Sequence, residues 1–225
     1  MFRRCSAWVV AIGWLGLWPA AAGANEPMFS EGGFVPYVEL PAAQDPATRG
    51  LERRVLFFVH FTCPFCRSIH PTLTQWAAGL PPGIRYEVLP AVGLPSHAPM
   101  AVAYYAVLEA APTKLEAYAQ RLYVMLQDER RAAESPDTYI AAAVAVGIPR
   151  DDFIRATQAD SVRRFTLRAQ ALTAAYGLNE VPSVVIGNRY LTSPRRVQNQ
   201  PEAFVAVMNG LVSMVYAPEQ RAGAR

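Results

Sequence analysis

The sequence predicts an α/β fold, a central sheet whose chain is interrupted by an inserted block of helices. Three observations predict it. An apolar, aromatic and β-branched run, Val55 to Phe61, leads straight into a segment with helix-start chemistry at Pro64. Far downstream, Val181 to Ile186 and Arg189 to Leu191 flank Gly187-Asn188, a pair suited to a tight hairpin turn. Between these ends the apolar residues recur at helical spacing. A chain of 225 residues with 52% hydrophobic and 17% charged residues can build one ordinary domain with a sizeable insertion. It is too apolar for a disordered chain, and a mean hydropathy of +0.10 is too low for a multi-span membrane protein.

The first 24 residues have a grammar of their own. Arg3 and Arg4 form a charged start, Ala7 to Trp18 an apolar core, Pro19 breaks it, and Ala22-Gly23-Ala24 offers small residues before Asn25. This pattern predicts a secretory signal peptide over 1–24. Cys5 to Ala24 is an uncharged run of 20 residues, long enough to span a bilayer if left uncut, but the proline break and Ala-rich tail favour cleavage. Arg3 and Arg4 also supply two of the three net positive charges. The mature chain is therefore close to neutral, which removes the electrostatic case for nucleic acid.

The next element is the run Val55 to Phe61, read as a buried strand, followed by a helix from Pro64 to about Ala78. Pro64 takes the first helical position, where a missing N–H costs nothing, and Pro71 inside the same helix predicts a kink near His70. Helical spacing then returns over Pro99 to Ala110, Lys114 to Asp128, Pro136 to Val146 and Asp151 to Ala159, with breaks at Pro112, Ser135-Pro136 and Gly147-Ile148-Pro149. Tyr104, Tyr105, Tyr118 and Tyr123 are expected to pack within this insertion. A longer helix, Ser161 to Tyr176, ends at Gly177 as a C-cap, and a last helix runs from Pro201 to Tyr216.

Once Cys5 leaves with the signal, the mature chain has two cysteines, in Thr62-Cys63-Pro64-Phe65-Cys66-Arg67. A stabilising disulfide is expected to close a long loop, and this pair closes almost none. In an oxidising compartment such a pair reads as a working dithiol/disulfide. Cys63 falls at the helix N-cap, where free backbone N–H groups and the positive end of the helix dipole favour its thiolate. Cys66, one turn inside, is the resolving thiol. The chemistry exchanges electrons between sulfurs directly and calls for no cofactor and no metal.

An aromatic strand entering Cys-Pro-Phe-Cys, followed much later by Val181-Pro182, a strand, Gly-Asn and a final strand, resembles the DsbA family of thioredoxin-fold proteins. The resemblance covers about Val35 to Tyr216. It implies a thioredoxin-like central sheet with an inserted α-helical domain, divided as 35–95 for the first part with the dithiol, 96–160 for the insertion, 161–216 for the second part and 217–225 for a tail. It implies that Pro182 is cis and faces Cys63, and that Val181, Pro64 and Phe65 contact substrate, Val181 through backbone pairing with an extended peptide. The implied activity is a periplasmic thiol:disulfide oxidoreductase that introduces disulfides into unfolded or cysteine-containing secreted proteins. A quinone-coupled membrane oxidase of the DsbB type would reoxidise it.

Two positions depart from the family pattern. The dipeptide between the cysteines commonly carries a histidine that stabilises the thiolate, and here Phe65 stands there. Six residues before the first cysteine, where relatives place a buried acid, this chain has Phe57. A less oxidising poise than that of the strongest members is expected. His60 is a candidate proton carrier, although strand alternation sets it on the face opposite Phe57. His70 reads as a partly exposed helix residue and His97 as a residue near the start of the insertion. Two other readings compete: a reductase or isomerase of the same fold, and a copper- or zinc-binding thiol module using Cys63, Cys66 and His60 or His70. Isomerases of this kind dimerise through an added N-terminal module, for which Asn25 to about Pro46 is too short, so a monomer is expected.

Overall fold

The computed structural model describes residues 35–41 and 45–216. The signal-peptide reading of 1–24, including Cys5, and the tail 217–225 lie outside the described residues. Five strands form one mixed sheet in the order β1-β5-β4-β2-β3. The central strand, β2 (Arg54–Val59), is the apolar run read from the sequence, and Val55 to Val59 are all buried. It pairs in parallel with β3 (Arg85–Pro90), Phe57 opposite Val88, and antiparallel with β4 (Ser183–Ile186), Phe57 opposite Val184. Beyond β4 lies β5 (Tyr190–Thr192), and a two-residue strand β1 (Val38–Glu39) closes that edge. A strand flanked on both sides and covered on both faces must be apolar at every position, which is why β2 shows no alternation.

The β4–β5 turn is the hairpin that the Gly-Asn pair predicts. Gly187 and Asn188 both take positive φ, 62° and 57°, as a turn of this hand requires. Gly187 also has a steric reason to be glycine, since a Cβ there would lie 2.4 Å from Val215 Cγ1. Asn188 accepts from the Tyr176 hydroxyl and donates to the Thr48 carbonyl, fastening the turn to its surroundings.

The dithiol helix α1 (Pro64–Ala77) follows β2 directly and continues through Pro71. After β3 the chain makes four helices, α2 (Ala98–Ala110), α3 (Leu115–Gln127), α4 (Pro136–Ala145) and α5 (Arg150–Thr157), before the long α6 (Asp160–Ala175) returns it to β4, and α7 (Pro201–Tyr216) ends the described chain. This is a thioredoxin-like sheet with a helical insertion, as expected. Gly177, at φ 59°, receives the end of α6 as a C-cap. Among the described residues no helix is long and apolar enough to cross a membrane.

Three features differ from the sequence reading. Strand β2 stops at Val59, because the Phe61 N–H turns to the Met100 sulfur at 3.3 Å instead of a neighbouring strand. Strand β3 has no counterpart in the predicted elements. Its Glu87 breaks the apolar pattern, but the carboxylate is held by Arg54 at 3.3 Å and by both terminal nitrogens of Arg168. Third, His70 is buried, with 1% of its surface exposed, not partly exposed. Helix α1 is covered on two sides, by Phe57 of β2 against the His70 ring at 5.4 Å and by Tyr123 of α3, which reaches out of the insertion to pack on it.

Candidate active site

Cys63 is the N-cap of α1, with extended backbone at φ −85° and ψ 117°, and Pro64 fills the first helical position. The Cys66 backbone N–H donates to Cys63 Sγ at 3.4 Å, so a helix-terminal donor that would otherwise lack a partner is aimed at the sulfur. Cys63 is partly exposed and Cys66 fully buried, and both are free thiols here. Their acidities are driven apart. The Cys66 thiol donates to the Cys63 sulfur, and with the Cys66 and Phe65 backbone N–H groups it outweighs partial burial, bringing the Cys63 pKa down from 9.0 to about 6. Burial, then the hydrogen bond and charge of Cys63, push the Cys66 thiol up. One sulfur is a thiolate at neutral pH and the other stays protonated, the division of labour that dithiol exchange uses.

Val181 and Pro182 are joined by a cis peptide bond. As a thiol, Cys63 donates to the Val181 carbonyl at 3.5 Å, which brings together residues 118 apart in sequence. Phe65, half exposed, lies with Val181, Pro182 and Arg195 around a shallow cleft on one side of the dithiol. On the other side, a cleft of about 390 Å³ is lined by Cys63, Val181, His60, Leu94, His97 and Glu180, among others. Leu94 is exposed over 57% of its surface beside the sulfur. The reactive sulfur therefore lines an open groove of mixed polar and apolar residues.

His60 lies in this groove. Its Nδ1 is hydrogen bonded to Thr62 Oγ at 2.7 Å, and its ring meets that of His97 at a centroid distance of 4.6 Å. Burial first, and the charge of His97 second, hold the His60 pKa down to about 4, so the ring is neutral near pH 7. Its backbone N–H points at the Cys66 sulfur, at 3.5 Å. Among the described residues no group of three or more His, Cys, Asp or Glu side chains is arranged to hold a metal ion.

The sequence reading missed several residues at the site. Gln127, at the end of α3, donates to the carbonyls of Phe61 and Cys63 at 2.9 and 3.1 Å. The next residue, Asp128, makes two hydrogen bonds with Arg67 of α1. The insertion thus grips the dithiol loop from two consecutive positions. His97 and Glu180 enter the groove from segments that carry no local motif.

The acidity of Cys63 gives a direct prediction. Its pKa in the folded reduced protein is below the value of an ordinary thiol. The resulting stabilisation of the reduced form is therefore complete above about pH 9 and lost as pH falls through about 6. Thiolate absorbance at 240 nm in the reduced protein is expected to disappear on acidification with a midpoint near pH 6, with one thiolate lost. A midpoint near 9 would show that the helix terminus and Cys66 do not act on the sulfur.

Comparison with known proteins adds a second line of observation. Residues 67–205 match the model of the DSBA-like thioredoxin domain. The thiol:disulfide interchange protein DsbA of Bordetella parapertussis is 25% identical over 158 residues, covering 70% of this chain and 74% of that protein. The crystal structure of reduced DsbA1 from Neisseria meningitidis superposes with a TM-score of 0.70 at 18% identity, covering 87% of this chain and 100% of the other. A Proteus mirabilis DsbA with a cysteine-to-serine substitution, solved with the non-covalently bound peptide PWATCDS, gives a TM-score of 0.65 at 18% identity over 83% and 97% of the two chains.

Proposed function

The chain belongs to the family of DSBA-like thioredoxin domains, and we propose that it is the thiol:disulfide oxidoreductase that introduces disulfides into secreted proteins, with Cys63 as the exchanging sulfur. The observation that carries the reading is the position of Cys63: at a helix N-cap, partly exposed, and 3.5 Å from the Val181 carbonyl in an open groove. In the oxidised enzyme a substrate thiolate attacks Cys63 Sγ, the Cys63–Cys66 bond breaks, and Cys66 leaves as a thiolate that takes up a proton. A second substrate thiolate then attacks the substrate sulfur of the mixed disulfide and expels Cys63. Two electrons pass from two substrate thiols to the dithiol, and the low pKa of Cys63 makes it a good leaving group in the last step.

The backbone of Val181 pairs with the substrate as an added strand, while Phe65, Pro64 and Leu94 offer apolar contact to unfolded chain. Such contacts read extended backbone and cysteine more than sequence, which suits a broad set of clients. His60, neutral and in the groove, is the candidate proton carrier for an incoming substrate thiol, a weak base with its pKa held down to about 4. The enzyme works as a monomer in the periplasm, to which residues 1–24 direct it, and is reoxidised by a quinone-coupled membrane partner of the DsbB type. The divisions 35–95, 96–160 and 161–216 are its working parts.

Equilibration of the mature protein against glutathione buffers tests the direction. Thiolate pKa values run from about 3.5 in a strongly oxidising DsbA to about 7 in thioredoxin, with potentials of about −120 and −270 mV. A Cys63 pKa of about 6 lies inside that range. On that scale a pKa of about 6 lies nearer the thioredoxin end, so the measurement decides: the oxidase reading requires a potential above about −180 mV. A value near that of thioredoxin would overturn the oxidase reading in favour of a reductase.

A further inference from the structure

Reduction of the disulfide leaves a thiolate on Cys66, a sulfur with no exposed surface, and this sulfur must acquire a proton. The position from which relatives would deliver it holds a phenylalanine. Phe57 is fully buried and carries no proton, and it packs its ring on that of His70 at 5.4 Å. His70 is four residues after Cys66 on α1, so the two side chains lie on the same helix face one turn apart.

His70 is not an isolated core histidine. Its Nδ1 is hydrogen bonded to the Tyr123 hydroxyl at 3.1 Å, and its Nε2 is 3.5 Å from Glu116 Oε2. Tyr123 is fully buried beside the dithiol, its ring 4.9 Å from that of Phe61. The Glu116 side chain is half exposed, and its other oxygen accepts from Gln120 at 2.9 Å, which leaves Oε2 toward the imidazole. Exchangeable groups therefore run in file from Tyr123, buried against Phe61 two residues before Cys63, through His70 to Glu116 at the solvent.

We propose that Tyr123, His70 and Glu116 form the proton path to Cys66, taking the place of the acid that Phe57 displaces. The proposal rests on the thiol–disulfide exchange above and holds in either direction of that exchange. On reduction, Glu116 takes a proton from water and passes it to Nε2 of His70. His70 gives its Nδ1 proton to the Tyr123 oxygen, and Tyr123 gives its hydroxyl proton to the Cys66 thiolate. One proton enters from solvent, one S–H bond forms, no electrons move along the path, and His70 exchanges one neutral tautomer for the other. On oxidation the sequence reverses.

The surroundings favour neutral transfer. Burial lowers the His70 pKa against the opposing charge of Glu116. Burial, and next to it the charges of Cys66 and Cys63, raise that of Tyr123, so the phenol lies within the electrostatic reach of both sulfurs. The other elements contribute no charge at this point: β2 offers the ring of Phe57, while Tyr86 on β3 and Tyr104 on α2 are held as neutral phenols by burial. Glu116 is the one carboxylate paired with the imidazole among the described residues.

The test uses the full mature chain carrying Glu116→Gln or Tyr123→Phe, substitutions that keep the shape of a half-exposed side chain and of a packed ring. The oxidised proteins are mixed rapidly with dithiothreitol, and the rate is followed from pH 5 to 8 through the fluorescence of Trp76, which sits on α1. Each variant is expected to reduce on the order of 100-fold more slowly at pH 7, the low end of what a positioned proton donor contributes. Because the attacking species is the dithiothreitol thiolate, the rate of the unsubstituted chain rises with pH; in each variant, which must take the proton from bulk water, it should rise less steeply, and added acetate should restore it in Glu116→Gln. Rates within about twofold of the unsubstituted chain across this range, with thermal midpoints unchanged, would overturn the path. The equilibrium potential and the Cys63 titration near pH 6 are measured on the same samples and judge the exchange reading separately.

Discussion

Cys63→Ser is expected to abolish disulfide formation outright, whereas Cys66→Ser is expected to leave a protein that captures substrates and cannot release them. The asymmetry follows from the two environments. Cys63 is reachable from the groove and its sulfur is stabilised as a thiolate by the helix terminus, while Cys66 has no exposed surface and receives only backbone and intramolecular contacts. A serine hydroxyl at position 63 can neither form the mixed disulfide nor leave from one, so turnover has no substitute route. With serine at position 66, Cys63 still attacks a substrate disulfide, but no second thiol is present to resolve the adduct. Oxidation of a reduced two-cysteine peptide, followed by the loss of two mass units, measures the first effect. A non-reducing gel of the Cys66→Ser protein incubated with oxidised peptide measures the second. Retained peptide oxidation by Cys63→Ser would mean that Cys66 is the sulfur meeting substrate.

The same contrast explains how much of the site the sequence shows. The dithiol, its N-cap position and the proline that follows are encoded within a few residues, and the Cys66 thiol together with the backbone N–H groups of the helix start turns Cys63 into an activated sulfur. The hairpin is equally local, because both residues of Gly187-Asn188 must tolerate positive φ. What escapes the sequence is whatever depends on the insertion folding back over α1. His70 looks like a surface residue of a helix until Tyr123, 53 residues away, covers it. Gln127 has no motif, yet it holds the carbonyls of Phe61 and Cys63 from a distance of more than 60 residues. Strand β3 is hidden for a different reason, since Glu87 reads as solvent-facing and its pairing with Arg54 and Arg168 is visible only in three dimensions.

The insertion does more than cover a helix end. Through Gln127 and Asp128 it fixes the loop that carries Cys63, and through Glu116 and Tyr123 it supplies the polar partners of the buried His70. The exposed ion pair between Arg67 and Asp128 adds little to stability, because both groups remain largely solvated. Its value is in orientation: two parallel hydrogen bonds define one angle between α1 and the end of α3. The acidity of Cys63 is thus set within the start of α1, while the insertion orients the loop that carries it.

The largest stability effect expected in the molecule lies on the central strand. Phe57→Ala is expected to cost about 3–5 kcal/mol, the range for emptying a phenylalanine site in a packed core. The ring is fully buried on the central strand and lies against His70 on one side and Tyr86 on the other, at 5.4 and 6.3 Å. Its strand is paired on both edges, so the backbone cannot move in to close the void. A loss of this size consumes a large part of the 5–15 kcal/mol that holds a typical domain together. For a domain of this length it should lower the thermal midpoint by on the order of 10 °C. The Cys63 titration near pH 6 should persist in the fraction that stays folded, because the groups that lower it belong to the start of α1 and to Cys66. Thermal denaturation of the oxidised protein, together with the 240 nm titration of the reduced one, reads both quantities. A loss below about 1 kcal/mol would mean that the site collapses around the missing ring, and a titration moved toward pH 9 would mean that Phe57 positions the dithiol as well as the core.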